Sequence, residues 1–144
     1  MRRTLSVLAV LAVALTIGCS RQPQPHLGEW EVKSFRDTNR DTITFVGDAS
    51  FYFSEDGTVQ IILEESSSFP DVRDGKYRFD YSKNPITLDI EWSKGKEDLS
   101  HLYGIAQFVG EKKDKMQIVF STKVRQSSFQ ADEASFWLTK KVKK

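Results

Sequence analysis

The sequence predicts an all-β protein, an antiparallel meander of about 8–9 short strands closed into a barrel. Three observations predict it. Apolar and polar residues alternate with a period of two through most of the chain from Gly28 onward, the links between such runs are short, and no long stretch carries an apolar stripe at helical spacing. Short links make sequential strands antiparallel. Alternation requires one dry face, and a meander that curls on itself provides one while leaving no open edge. A two-sheet sandwich is the structural alternative.

The elements follow in order. Residues 28–35 place Trp30, Val32 and Ser34 on one face and Glu31 and Lys33 on the other. Residues 42–46 bring Ile43 and Phe45 together, and Gly47-Asp48 turns the chain. Phe51 and Phe53 share a face of residues 50–54, Glu55-Asp56-Gly57 forms a tight turn, and Val59, Ile61 and Leu63 alternate through residues 58–64. Residues 65–74, with Ser66, Ser67, Ser68 and Pro70, read as a loop. Tyr77 and Phe79 mark a strand at 75–80, followed by a turn from Tyr81 to Pro85. Residues 86–92 are the cleanest strand, with Ile86, Leu88, Ile90 and Trp92 opposite Thr87, Asp89 and Glu91. Residues 101–109 form a strand with Gly104 inside it, which fits a bend, a bulge or a close packing contact. Met116, Ile118 and Phe120 align in residues 116–121, residues 122–134 are a loop, and Phe136 and Leu138 close the series at 135–140.

Residues before Gly28 have a different character. Arg2 and Arg3 precede an apolar run from Leu5 to Ile17. This run of about 13 residues is shorter than the roughly 20 a spanning helix needs and has the length of an export-peptide core. Leu15-Thr16-Ile17-Gly18-Cys19 then resembles the bacterial lipobox, with Thr16 where an aliphatic residue is usual. The resemblance implies a lipoprotein: residues 1–18 are a signal peptide, and Cys19 is lipidated with a diacylglyceryl group and a palmitate-like N-acyl chain. One chain binds membranes marginally and several bind firmly. Ser20, where an aspartate marks inner-membrane retention, favours the outer membrane facing the periplasm if the host is Gram-negative. Residues 19–27 contain Pro23 and Pro25 and read as an extended, flexible spacer in which His26 is solvated. The barrel domain is assigned to residues 28–144.

Of 144 residues, 126 remain after such cleavage, enough for one domain with one core. Losing Arg2 and Arg3 leaves 19 Lys+Arg against 20 Asp+Glu, a balance that offers no long-range attraction for nucleic acid. The single cysteine excludes an internal disulfide. Lys140, Lys141, Lys143 and Lys144 form a basic end that is a solvated tail or a contact for lipid headgroups.

From Gly28 the residues resemble a known family. Gly28-Glu29-Trp30 is similar to the Gly-x-Trp of the first lipocalin strand. The ordered set Gly28–Val32, Ile43–Asp48, Gly75–Asp80, Ser82–Ile90, Gly104-Ile105 and Asp114–Ser121 resembles the small lipocalin-like domain common in planctomycete proteins. The resemblance implies a lipocalin-like barrel, and no substrate, shared catalytic residues or cofactor. It also implies that Trp30 plugs the barrel floor and that a late basic side chain packs on its indole, with Arg125 as first candidate and Lys140 as second. Phe53, Ile61, Tyr77, Phe79, Leu88, Ile90, Ile105, Ile118, Phe120 and Leu138 are the residues expected to line the interior, either around a small apolar or amphipathic ligand or as a solid core. Tyr77 and Tyr103 need partners for their hydroxyls if buried, and a ligand is one source.

No catalytic constellation stands out, and no enzyme activity, metal or cofactor is expected. His26 falls in the spacer, which leaves His101 as the domain's histidine, expected at a loop edge. Asp89 and Glu91 share a strand face that alternates with apolar residues, so that face is expected to be the solvated outside. The expected partners are the membrane through Cys19 and either a small apolar ligand or an envelope protein. Phe69 and Phe129, in loops 65–74 and 122–134, either anchor a partner or fold back to cap the barrel.

Overall fold

The computed structural model describes residues 23–37, 43–44, 48–63, 69, 71–93, 99–121 and 133–142. Among them there is no helix, and the strands are β1 (Gly28–Asp37), β2 (Ile43–Thr44), β3 (Ser50–Phe53), β4 (Thr58–Ile62), β5 (Val72–Asp80), β6 (Ile86–Ser93), β7 (Leu99–Val109), β8 (Lys115–Ser121) and β9 (Glu133–Lys140). From β3 to β9 each strand pairs antiparallel with the next. β1 closes the ring. Its first half pairs with β3 through Trp30↔Phe51, and it pairs with β9 from Trp30↔Lys140 to Asp37↔Ala134. The result is an eight-stranded closed barrel, with the two-residue β2 as a second partner beyond β3 on the same side of β1. The expected all-β antiparallel barrel is the fold observed.

Alternation sets the core. Phe51 and Phe53, Val59 and Ile61, Leu88 and Ile90, Met116, Ile118 and Phe120, and Phe136 and Leu138 all point inward and are fully or almost fully buried. Burying each such side chain stabilises the fold by about 1.5–3 kcal/mol, set against the entropy of ordering it. Two irregularities shift the phase. A register shift between Val32 and Ser34 on β1 brings Phe35 into the core in place of Ser34, contrary to strict alternation. On β5, Val72 pairs with Ile61 and Gly75 with Val59, so the strand begins inside what reads as loop 65–74. Gly75 is required there by close approach: a Cβ would lie 2.6 Å from Val72 Cγ1 and 2.9 Å from Val59 Cγ1.

The meander puts the turns 54–57, 81–85 and 110–114, the start of β1 and the end of β9 at one end of the barrel, the mouth. The expected turn at Glu55-Asp56-Gly57 is there. Gly57 has φ +86°, and the Asp56 carboxylate accepts hydrogen bonds from the Thr58 amide (2.9 Å) and hydroxyl (2.7 Å), which lowers its pKa. At the far end Phe69 folds back against Phe35, Phe120 and Phe136 and is 7% exposed, so it caps the barrel. Phe129 lies outside the described residues.

Candidate functional site at the barrel mouth

The sequence places His26 in a solvated spacer. The structure corrects this: His26 is 4% exposed and stoppers the mouth. A turn closed by Leu27 N–H donating to Gln24 O (3.2 Å) points the imidazole inward. The ring stacks on Phe79 at 4.3 Å and meets the edges of Phe53 and Tyr77. Both ring nitrogens have phenol partners. Nε2 lies 3.1 Å from Tyr77 Oη, and Nδ1 is hydrogen-bonded to Tyr81 Oη.

Proton counting assigns the direction of this chain. Tyr77 gives its hydroxyl proton to Ser54 O at 2.7 Å, so it accepts from His26 Nε2–H. Nδ1 then carries no proton and accepts from Tyr81 O–H. The imidazole is therefore neutral in one tautomer. Burial, and secondarily the positive charge of Lys140, push its pKa down to about 4. Burial raises both phenols to about 12, with the Asp56 and Glu55 charges adding to the effect at Tyr77, so both remain donors at ordinary pH. The hydroxyl of Tyr77, for which a ligand was one expected partner, is satisfied by the protein.

Trp30 forms the floor beneath this stopper. It is fully buried, and its indole N–H donates to His26 O at 2.7 Å. Lys140 Nζ sits 5.4 Å from the indole centroid and donates to Pro25 O at 3.0 Å. A basic partner on Trp30 is thus Lys140, the second candidate, delivered by the Trp30↔Lys140 register; Arg125, the first candidate, lies outside the described residues. Residues 24–27, read as spacer, are docked on the barrel by these contacts.

Of the expected lining residues, Phe53, Ile61, Leu88, Ile90, Ile118, Phe120 and Leu138 are inside with at most 2% exposure, and Tyr77 and Phe79 are half-buried near the mouth. Ile105 is a correction. It is 43% exposed on the outer face, as is Tyr103 at 46%. The inward positions of β7 are Leu102, Gly104, Ala106 and Phe108. Gly104 stands opposite Phe120 and Ala106 opposite Ile118, so small residues face large ones across the pair. A Cβ on Gly104 would lie 2.8 Å from Phe120 Cδ1, which gives this glycine the packing reason. At the middle of β7 the small Gly104 and Ala106 face inward and Tyr103 and Ile105 face outward, because Phe120 and Ile118 fill the interior there.

Outside the barrel, His101 faces a cleft of about 310 Å³ with Lys76, Arg78, Asp89, Glu91 and Tyr103. Asp89 and Glu91 lie on the outer face, as alternation predicts. Arg78 is bonded to Asp89 at 2.8 Å. His101 Nδ1 is 3.6 Å from Glu91 Oε1, and its ring lies parallel to Tyr103 with centroids 6.0 Å apart. Among the described residues no three His, Cys, Asp or Glu side chains gather closely enough to hold a metal ion.

No protein-family model, curated protein or solved structure matches this chain. Cys19 lies outside the described residues. Sequence reasoning missed His26. Its one visible signal is its place four residues before Trp30, close enough for its carbonyl to meet the indole.

Proposed function

We propose that this is a lipid-anchored protein of the cell envelope, held by Cys19, whose solid barrel works through its outer surface as an interaction or accessory module. The observation that supports this over a ligand carrier is the filling of the interior. Trp30, Phe51, Ile61, Leu88, Ile90, Met116, Ile118, Phe120 and Phe136 are each 0% exposed, and His26 closes the mouth above them. A ligand pocket of the usual few hundred Å³ has no place among such side chains. The anchor is supported by the apolar run ending in Gly18-Cys19. The reading has no catalytic step and no nucleic-acid partner, and it assigns the outer membrane, periplasmic side, in a Gram-negative host.

Intact-mass and native mass spectrometry of the protein purified from its own host test both halves. The expected result is a Cys19 N-terminus carrying diacylglyceryl and acyl groups, with no other small molecule bound. An unmodified Cys19 removes the anchor. A stoichiometric apolar molecule released only on unfolding restores the carrier reading.

A further inference from the structure

The outer wall of the barrel is unevenly charged. On β5 and β6 the outward positions hold Lys76, Arg78, Asp89 and Glu91. On β7–β9 the registers stack two rows without charge: Gln107–Gln117–Trp137, then Ile105–Val119–Ser135. Trp137 is 45% exposed, Ile105 43% and Val109 36%. The row nearer the mouth is Val109–Lys115–Thr139, and the rim beyond it carries Lys112, Lys113, Lys140 and Lys141. Carboxylates on this side are Glu111, Asp114, Glu29, Glu31 and Asp48; Lys141 is bonded to Glu29 at 2.6 Å and Lys33 to Glu31 at 2.7 Å. Lys112, Lys113 and Lys115 lie beside Glu111 and Asp114, and the sequence continues to Lys143 and Lys144. The opposite rim has Glu55, Asp56 and Asp80 against Lys83.

We infer that the mouth end of the barrel, on its β7–β9 side, seats on an anionic bilayer, with Trp137 and Val109 in the headgroup layer and Lys112, Lys113 and Lys115 on the phosphates. The inference rests on the proposed anchor for its orientation. Gln24 is docked at the mouth, and Cys19 is five residues earlier, so the linking chain spans at most about 18 Å. That tether holds the mouth, and not the far end, against the membrane. The Trp137 row lies about 7 Å further from the mouth than the Thr139 row, so it reaches the headgroup layer when the barrel lies over on its β7–β9 wall. Tryptophan is favoured at that depth, and lysines are drawn to anionic headgroups. The acidic rim on the β4–β6 side is repelled and tips the barrel onto β7–β9.

Trp137 is the exposed one of three tryptophans, Trp30 and Trp92 being buried, so its emission reports the seat. The lipidated protein is placed in vesicles of three parts phosphatidylcholine to one part phosphatidylglycerol carrying brominated acyl chains. Full-length Cys19→Ala is separately sedimented with the same vesicles. Quenching is expected in the wild type and absent in Trp137→Phe. Cys19→Ala should bind these vesicles at least about 10-fold better than pure phosphatidylcholine. Adding Lys112→Gln, Lys113→Gln and Lys115→Gln to Cys19→Ala should abolish that preference, whereas adding Lys76→Gln on the opposite wall leaves it. A lipidated protein that inserts without quenching overturns the seat and leaves the anchor standing. A host-purified chain with unmodified Cys19, while Cys19→Ala still binds anionic vesicles, overturns the anchor and keeps the surface. Equal binding to both vesicle types overturns the inference.

Discussion

The two ends of the barrel are closed by different physics. At the far end Phe35, Phe69 and Phe136 meet ring to ring, and the described contacts of these rings are apolar. At the mouth a histidine, two tyrosines and a lysine lie over an indole, and each polar atom must find a partner. The apolar end tolerates approximate shape, because dispersion and burial are not directional. The mouth depends on one tautomer and one register, so losing any member leaves a buried group unpaired. The mouth should therefore respond to pH through His26.

Four changes break or sharpen this contrast. The largest effect is expected for Trp30→Ala, about 3–5 kcal/mol, since it opens a cavity and orphans His26 O. A loss under about 1 kcal/mol in urea unfolding would show that the indole is not the floor of the mouth. Phe69→Ala should cost about 3 kcal/mol at the far end without changing the pH dependence of stability, since its ring packs on Phe35, Phe120 and Phe136. An altered pH profile in that variant would mean the two ends are coupled.

His26→Ala should cost on the order of 2 kcal/mol at pH 8, through lost ring contacts and the loss of the acceptor for the Tyr81 hydroxyl, while Tyr77 keeps its bond to Ser54 O. Its clearer signature is in acid. The folded pKa of about 4 lies below the unfolded 6.5, so the unfolded chain binds more protons between those values. Stability from this group is complete above pH 6.5 and falls as pH drops toward 4. Asp56 and Asp80, whose pKa values are lowered by hydrogen bonds from Thr58 and Ser82, contribute losses only further into acid. Chemical denaturation from pH 7.5 to 4.5 should show this slope in the wild type and lack it in His26→Ala; equal slopes would place the titration elsewhere. The smallest effect belongs to Lys140→Met, about 1 kcal/mol, for the cation over Trp30 and its bond to Pro25 O. The same change should raise the His26 pKa, measurable by NMR titration, because it removes a neighbouring positive charge.

Most of the barrel was legible as alternation. Residues 86–92 and 116–121 read correctly residue by residue, because each buries one face and solvates the other. Legibility failed where one residue breaks the period. The register shift after Val32 exchanges Ser34 for Phe35 in the core, and the irregularity in β5 hides Val72 inside an apparent loop. It failed again where size mattered more than polarity. Ile105 looks like core and Gly104 does not, yet Phe120 occupies the volume that a side chain at Gly104 would need. The mouth was half legible: Trp30 could be named from Gly28-Glu29-Trp30, while His26 looked like linker.

By itself the chain determined an all-β architecture, an inward set of aliphatic and aromatic residues including Trp30, and an apolar run from Leu5 to Ile17 ahead of Gly18-Cys19. These depend on neighbours in sequence, through periodicity and local motifs. Tertiary structure alone decided that Lys140 sits over Trp30, that two tyrosines 51 and 55 residues away hold His26, and that Gly104 and not Ile105 faces the interior. The physical reason is that closing a barrel fixes which distant residues share its limited interior, and a hydrogen bond or a steric clash exists only once that closure has brought its atoms together.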